Sequence, residues 1–314
     1  MKTAYFSVGR RLAAACGMFT SFAVALAVTV TAAPAQAARV GVLSNNCFSC
    51  TATAAATAAD FAAKIPGHTF TGVDTSSSVP TLPQLLGAYD VLLVFEDSAF
   101  ANATAVGNVA AAFANTGRPV VLGTFYDQDR SDVNNPALSN QHNGWGALEA
   151  IDPNTTDGIG VATNASGVPN LPRVLKAASI VPHPLTKGVT ALGAISGFAG
   201  GNQAKAGTIV LAVWTEPNAR NLPDPAIAYR VSGAACVIQI GIAPDYAVGI
   251  GSGYGPAFFT GDFYVTWKNA FDFAASSCST PNAVPSLSSG GLALTLLLFV
   301  VAAFSQRRRF SRSR

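Results

Sequence analysis

Two continuous apolar runs, one on each side of an alanine-rich segment, organise the middle of this chain. Residues 91–95 (VLLVF) form the first run and residues 119–122 (PVVL) form the second. Between them, residues 101–115 place apolar side chains at helical spacing, and Gly117 ends that pattern. Because unbroken apolar strands are typical of sheets that are covered on both faces, the pattern predicts a parallel β-α-β unit.

The same alternation of strand and helix patterns precedes this unit. It comprises a strand at 39–43, a helix at 51–64, a strand at 68–73 and a short helix at 82–86. The resulting order, β-α-β-α-β-α-β, predicts an open α/β sheet. In such a sheet the functional groups lie at the carboxyl ends of the strands.

The second half of the chain has a different pattern. Residues 127–181 are rich in Asn, Asp, Gly and Pro, which predicts a long insertion with one short helix near 170–177. Three later strand patterns separated by turn signals predict a β-meander at 208–214, 226–231 and 234–242. Asp262 is a predicted N-cap, and residues 263–275 form an amphipathic last helix.

These elements together predict the fold class. We expect a three-layer, flavodoxin-like α/β domain at residues 38–280, with a mostly parallel sheet and a β-meander in its second half. The length is ample for a domain with its own core. The predicted core includes Val91, Leu93, Val94, Val120, Val121, Leu122, Ile238 and Ile240.

The first 37 residues predict a secretory signal peptide. Basic residues at the start are followed by an apolar segment at 18–30 and by the small-residue sequence Ala35-Gln36-Ala37. An N-terminal membrane anchor would need ~20 apolar residues. Cleavage is therefore expected before Ala38, and the export machinery is an expected partner.

The C-terminal end combines a short motif, an apolar helix at 292–304 and a basic tail at 307–314. This arrangement resembles the IPTL-type C-terminal sorting signals of Gram-negative bacteria, which an exosortase-like membrane enzyme processes. The family pattern usually has a tryptophan before the glycine, where this chain has Ser289 or Gly290. The resemblance implies that residues 281–314 are a linker and sorting signal that contacts the membrane before processing; a plain C-terminal anchor is the alternative. The signal residues are Val284, Pro285, Ser286, Leu287, Arg307, Arg308 and Arg309.

Removing the two terminal segments reverses the sign of the net charge. The whole chain carries +3, but eight of its 19 basic residues lie before residue 38 or after residue 283. All 16 acidic residues lie between Asp60 and Asp272, so the body of the protein carries a net charge of −5. A negative body argues against nucleic acid as a partner.

Several phrases of the chain resemble the class I glutamine amidotransferase-like superfamily, especially its exported members that are not amidotransferases. The resemblance covers about residues 39–275 and implies the flavodoxin-like fold. It rests on YDVLLVFED (89–97), GNVAAAFANTGRPVVLGTF (107–125), HPLTKGV (183–189), AYR (228–230) and WKNAFDFA (267–274).

The residues that such amidotransferases use for catalysis are replaced. Their nucleophilic cysteine follows a central strand, and the matching position here is Phe125, next to Thr124. Their histidine and glutamate segment matches residues 239–245, where only Asp245 offers a carboxylate. A nucleophile needs an adjacent base. The sequence therefore predicts a degenerate elbow and no glutamine hydrolysis.

Polar residues at the predicted strand ends form a candidate pocket rim: Glu96, Asp97, Thr124, Asp127 and Asp245. Paired carboxylates can perform acid–base chemistry on glycosides, so an exported hydrolase is one alternative function. Asp127, Asp129 and Asp132 are oxygen donors of the type that Ca²⁺ binds. The glycine and terminal glutamate of an EF-hand are missing, so a solvated acidic loop is favoured, and no metal or cofactor is expected.

Four cysteines remain after the signal peptide: Cys47, Cys50, Cys236 and Cys278. The first two form a Cys-x-x-Cys motif between a strand and a helix, where a thiol–disulfide oxidoreductase keeps its redox pair. In an exported chain, two structural disulfides are the simpler interpretation. Of three connectivities, we favour Cys47–Cys50 and Cys236–Cys278.

The function predicted from these features is that of an exported protein of the cell envelope or extracellular matrix. Its degenerate domain would have a binding or structural role, with a glycan or an envelope protein as partner. The alternatives are the carboxylate-based hydrolase and the Cys-x-x-Cys oxidoreductase.

Overall fold

The computed structural model describes residues 37–45, 52–75, 77–96, 102–124, 145–155, 173–194, 199–248, 259–276 and 278, which form a mixed α/β unit. The helices are α1 (Ala52–Lys64), α2 (Leu82–Ala88), α3 (Ala103–Asn115) and α4 (Phe263–Ser276). The strands are β1 (Arg39–Asn45), β2 (Thr69–Asp74), β3 (Val91–Glu96), β4 (Val120–Gly123), β5 (Asn154–Thr155), β6 (Arg173–Val174), β7 (Leu192–Ala194), β8 (Gln203–Ala204), β9 (Ile209–Val213), β10 (Pro225–Ser232), β11 (Ala235–Ile240) and β12 (Phe259–Gly261). Short 3-10 turns lie at Gly146–Ala150, Ala177–Ser179, Pro184–Thr186 and Pro244–Ala247.

A seven-stranded sheet in the order β2-β1-β3-β4-β11-β10-β9 forms the centre of the protein. The first five strands in this order are parallel, and β10 and β9 are antiparallel additions. The parallel part has the strand order of the flavodoxin-like doubly wound fold. The predicted fold class, including the β-meander of β9, β10 and β11, is therefore confirmed.

Helices cover both faces of this sheet. On one face, Phe61 of α1 and Trp267 and Phe271 of α4 pack in a cluster with Val42 and Leu93. On the other face, residues of α2 and α3 pack with Leu92, Val94, Val120 and Leu122 of the alternate strand positions. All eight predicted core residues are fully buried. The three-layer architecture follows from this alternation of side chains across the sheet.

Local signals explain the position of α3 over the sheet. The side chain of Asn102 accepts a hydrogen bond from Ala105 N at 2.9 Å and caps the first turn. Gly117, at φ +87°, lets the chain reverse after the last turn. Gly107 faces the 3-10 turn, where an added Cβ atom would overlap the carbonyl oxygen of Trp145. The insertion can therefore pack tightly on α3 only because this residue has no side chain.

One local prediction is corrected. The helix predicted near 170–177 is wrong, because residues 173–174 form β6 and pair with β7, and Lys176 N donates to Val213 O at 2.9 Å. Backbone groups that are engaged between strands cannot form helical hydrogen bonds. Asp262 occupies the predicted N-cap position of α4, since its carbonyl oxygen accepts from Thr266 N at 2.8 Å. Its carboxylate accepts hydrogen bonds from Thr190 N and Ala191 N and thereby holds the preceding loop.

A cavity of about 250 Å³ lies at the amino edge of the sheet, where the parallel strands begin. Ala37 and Ala38, which precede β1, line it together with Ala274 and Ala275 from the last turn of α4. Asp90, Gly117, Arg118 and Pro119, which precede β3 and β4, complete the lining. The start of β1 and the end of α4 are therefore close together at this edge.

The signal peptide up to residue 36, the helix at 292–304 and the basic tail lie outside the described residues. Within the parts of the chain that the structure describes, no helix has the length and apolar character needed to cross a membrane.

Candidate functional site at the carboxyl edge of the sheet

The sheet brings two of the five predicted rim positions, Thr124 and Asp245, close to each other. Strand β4 lies between β3 and β11, so the residues that follow these strands are neighbours. At the end of β4, an added Cβ atom on Gly123 would lie 2.8 Å from Pro244 Cδ and 3.1 Å from Phe95 Cβ. Asp245, in the turn after β11, is therefore near the ends of β3 and β4, and it is buried.

The other predicted rim residues follow β3 and β4 along the chain. Glu96 is the last residue of β3, and Asp97 and Asp127 lie outside the described residues. Asp129 and Asp132, the other proposed calcium ligands, also lie outside them. Among the residues that are described, no group of three His, Cys, Asp or Glu side chains could hold a metal ion. The rim and its carboxylates stay a prediction.

Thr124, beside the degenerate elbow, is fully buried at the end of β4. Its backbone N donates to Ile242 O at 3.3 Å, which continues the pairing of β4 with the segment after β11. Among the described residues, its hydroxyl has no hydrogen-bond partner. A hydroxyl without a base cannot be activated as a nucleophile. Phe125, the matched nucleophile position, lies outside the described residues.

We expect Thr124→Val to raise the free energy of unfolding by up to ~1 kcal/mol, because it removes a buried hydroxyl that lacks a partner. Thr186→Val is the matched control, since the Thr186 hydroxyl donates to Val181 O at 2.6 Å. The control should lower the free energy of unfolding by about 1–2 kcal/mol. Urea denaturation midpoints measure both changes. Equal losses in the two variants would show that the Thr124 hydroxyl has a partner.

A buried ion pair between Arg173 and Asp224 lies at the same edge of the sheet. Arg173 begins β6 and Asp224 immediately precedes β10, whose first residues lie beside the end of β11. Both side chains are completely buried. The guanidinium Nη2 of Arg173 donates to Asp224 Oδ2. Sequence reasoning did not find this pair, because the two residues are 51 positions apart and no motif connects them.

Backbone groups complete the binding of the Asp224 carboxylate. Gly201 N donates to Oδ2 at 2.6 Å and Asn202 N donates to Oδ1 at 3.0 Å. Gly200 has φ +76°, and an added Cβ atom there would overlap both Arg173 and Asp224. Glycine is therefore required where this loop passes over the ion pair.

Burial shifts the pKa of the Asp224 carboxyl group. It raises the pKa of Asp224 to about 6, although Arg173 and the two backbone N–H groups favour the ionised form. The Arg173 guanidinium also lies 6.0 Å from the centre of the Trp214 ring. The carboxylate is thus fully engaged by the protein, and the pair acts to hold the loops at this edge in place.

The histidines of the described residues have structural partners. His183 Nδ1 accepts a hydrogen bond from Leu185 N at 3.2 Å and caps a 3-10 turn, as its position before Pro184 suggests. His68 Nδ1 accepts from Ala38 N at 3.2 Å, and His68 Nε2 is 3.0 Å from Asp272 Oδ1. Both rings therefore connect segments of the fold, and they do not face the carboxyl-edge residues described above.

The second predicted disulfide is present in the structure. Cys236 and Cys278 are joined, with their Cα atoms 5.6 Å apart. This distance lies within the range of disulfide bonds. The bond ties β11 to the residues that follow α4. Cys47 and Cys50 lie outside the described residues, so their pairing and the oxidoreductase alternative are untested.

Comparisons with known proteins give a likeness at the level of the fold. No protein-family model matches the chain, and no curated protein matches it. Among solved structures, a cytoplasmic protein from Salmonella typhimurium LT2 is 12% identical with a TM-score of 0.47, over 76% of this chain and 99% of that one. A ThuA-like protein from Bacteroides uniformis is 12% identical with a TM-score of 0.47, over 79% and 96% of the two chains.

A second ThuA-like protein, from Parabacteroides merdae, is 13% identical with a TM-score of 0.43, over 80% of this chain and 94% of that chain. The likeness is one of fold. At such low identity it carries over no activity, substrate or location. The fold assignment rests on the strand order and register of this chain itself.

Proposed function

We propose that this chain is an exported protein of the cell envelope or matrix, whose flavodoxin-like domain has a binding or structural role. A glycan or another envelope protein is the proposed partner class. The proposal that this domain has no catalytic role rests on the residues at the position of the amidotransferase nucleophile. The matched nucleophile position is Phe125, and the neighbouring Thr124 hydroxyl is buried with no hydrogen-bond partner in the part of the chain that the structure describes.

The disulfide supports the proposed export. Disulfides form and persist in oxidising compartments and are rare in the cytosol. Cys236 and Cys278 are both buried, so the disulfide between them belongs to the core of the folded domain. Together with the sequence patterns at residues 1–37 and 284–314, it favours an oxidising compartment as the place where this domain folds.

Cell fractionation tests the proposed sorting. We expect the full chain in the envelope fraction of a Gram-negative host that carries an exosortase-like enzyme. A chain that ends at residue 283 should be released in soluble form, because it lacks the apolar helix and the basic tail. Equal envelope localisation of the two chains would contradict the sorting proposal.

A second variant separates a processed signal from a plain anchor. Pro285→Ala together with Leu287→Ala changes the short motif and keeps the apolar helix and the basic tail. If the signal is processed, mass spectrometry should find the tail removed from the full chain and retained in this variant. If the tail is retained in both, residues 292–304 act as a permanent anchor.

A further inference from the structure

The backbone nitrogen of Ala38 is buried and hydrogen bonded at the point where the first strand begins. Ala37 is exposed, whereas Ala38, the next residue, is only 3% exposed. Ala38 N donates to His68 Nδ1 at 3.2 Å, and Ala38 O accepts from Thr69 N at 3.0 Å. Both backbone polar groups of this residue are therefore bound by the segment that leads into β2.

The acceptor ring is held in place by contacts with α4. The His68 side chain is 2% exposed, and its Nε2 lies 3.0 Å from Asp272 Oδ1. Lys268 Nζ donates to the other oxygen of that carboxylate, Asp272 Oδ2, at 2.5 Å. Because Nε2 carries the hydrogen that faces Asp272, the lone pair of Nδ1 accepts from Ala38 N. The histidine thus presents an acceptor at one defined point beside the start of β1.

The cavity of about 250 Å³ at the amino edge adjoins the same nitrogen, because Ala37 and Ala38 both line it. Ala274 and Ala275, from the last turn of α4, and Gly117, just after α3, form part of its wall. The C-terminal end of a helix carries a partial negative charge and favours a cation. The volume is large enough for several water molecules. The cavity therefore suits a small cationic group that keeps part of its hydration.

The charged side chains of the cavity wall have partners of their own. The Asp90 carboxylate accepts from the backbone nitrogen and from the guanidinium of Arg39. The Arg118 guanidinium donates to two backbone carbonyl oxygens at the end of α2. These two guanidinium groups are therefore engaged elsewhere, and the Nδ1 acceptor of His68 is used by Ala38 N.

We infer that this site binds the α-ammonium group that signal-peptide cleavage before Ala38 creates, an inference that rests on the proposed export of the chain. The nitrogen keeps its hydrogen bond to His68 Nδ1. Because Ala37 lines the cavity, its removal directs the additional N–H groups into the cavity, towards the C-terminal end of α4 and solvent. A chain that begins at Ala37 places its ammonium at an exposed residue instead. The bound N-terminus is withheld from exopeptidases, which need a free end.

Amine labelling of two chains that differ by one residue tests this inference. One begins at Ala38 and the other at Ala37; both continue to Arg314 and are released from a leader by a site-specific protease, without export. Acetylation of each α-amine is followed by mass spectrometry of the N-terminal peptide. The Ala38 amine should react at least about tenfold more slowly in the native protein than in urea, because it is released only by local opening. The Ala37 amine should react similarly in both. Equal native rates for the two amines would overturn the inference.

His68→Phe separates binding of the ammonium from ordinary burial. Phenylalanine keeps a ring beside Phe70 and Phe271, whose centroids lie 6.3 and 6.1 Å from that of His68, but it offers no acceptor. The melting temperature of the Ala38 chain should fall further than that of the Ala37 chain, because a buried charge loses more than a neutral amide when its partner is removed. An equal fall in both chains would contradict the inference. The labelling comparison uses the natural sequence, so it decides even if this variant does not fold.

Analysis of the first residue of the exported full chain separates this inference from the proposed export. Ala38 as the first residue, with a protected amine, supports both. A different first residue, with the amine of the leader-released Ala38 chain still protected, contradicts the predicted cleavage position and still supports the binding site. An exported chain that begins at Ala38 and whose amine reacts as fast as in urea overturns the inference and leaves export intact.

Discussion

Arg173→Met is expected to lower the free energy of unfolding by about 3–5 kcal/mol, the usual cost of leaving one member of a buried ion pair without its partner. Asp224 would keep its hydrogen bonds from Gly201 and Asn202 but would lose the only cation that contacts it within the described chain. Its carboxylate is completely buried, so water cannot replace the guanidinium. Denaturant unfolding of the purified domain at pH 7 measures the change.

Two further measurements identify the cause of that loss. Adding Asp224→Asn to Arg173→Met removes the unpaired charge and should recover part of the stability. The pH dependence should also change. Because the folded-state pKa of Asp224 is raised to about 6, the native state binds more protons than the unfolded state between about pH 4 and pH 6. Stability therefore falls as pH rises through this window.

Without Arg173 the pKa of Asp224 rises further, and the fall in stability extends to higher pH. The variant should then be closest to the wild type near pH 4 and furthest from it at pH 7. A loss that is equal at both pH values would show that methionine packing, and not the unpaired carboxylate, causes the destabilisation.

Removing the Cys236–Cys278 disulfide is the second change with a large expected effect. The bond closes a loop with a sequence separation of 42 residues. A loop of that length restricts the unfolded chain by about 4 kcal/mol. We expect Cys236→Ala with Cys278→Ala to lose about this amount, measured as the shift in the urea midpoint under non-reducing conditions.

A reductant supplies the control for the disulfide. It should lower the midpoint of the wild type towards that of the double variant and leave the double variant almost unchanged. Thiol titration of the denatured, unreduced protein should find no free thiol if Cys47 and Cys50 are also paired. A double variant within 1 kcal/mol of the wild type would contradict a stabilising role.

The layers of the fold could be predicted because their signals are local. Residues 91–95 and 119–122 are continuous apolar runs, and such runs form strands that are covered on both faces. The helical spacing of apolar residues predicted most of the buried face of α3: Ala103, Val106, Ala110 and Phe113 are buried, and Val109 of the same pattern is half-buried. The order of the strands in the sheet is not set by local sequence signals. It could still be predicted, because few topologies are possible when parallel neighbouring strands are joined by a single helix.

The ion pair at the carboxyl edge could not be predicted in the same way. Arg173 and Asp224 are 51 residues apart, and only the tertiary fold brings them together. The predicted helix near 170–177 shows the same limit, since β6 exists only because β7 is beside it. Thr124 was found because it follows a strong strand pattern, and its burial depends on the turn after β11.

Ala37 and Ala38 lie close to the last turn of α4, so the start and the end of the described domain are both at the amino edge of the sheet. If the chain is tethered through the residues after Cys278, as we propose, the tether starts near the amino edge, where α4 ends. The strands between the two edges are up to about seven residues long, which corresponds to roughly 20 Å. A domain attached in this way holds the ends of β3, β4 and β11 on its outward side, one strand length beyond the point of attachment.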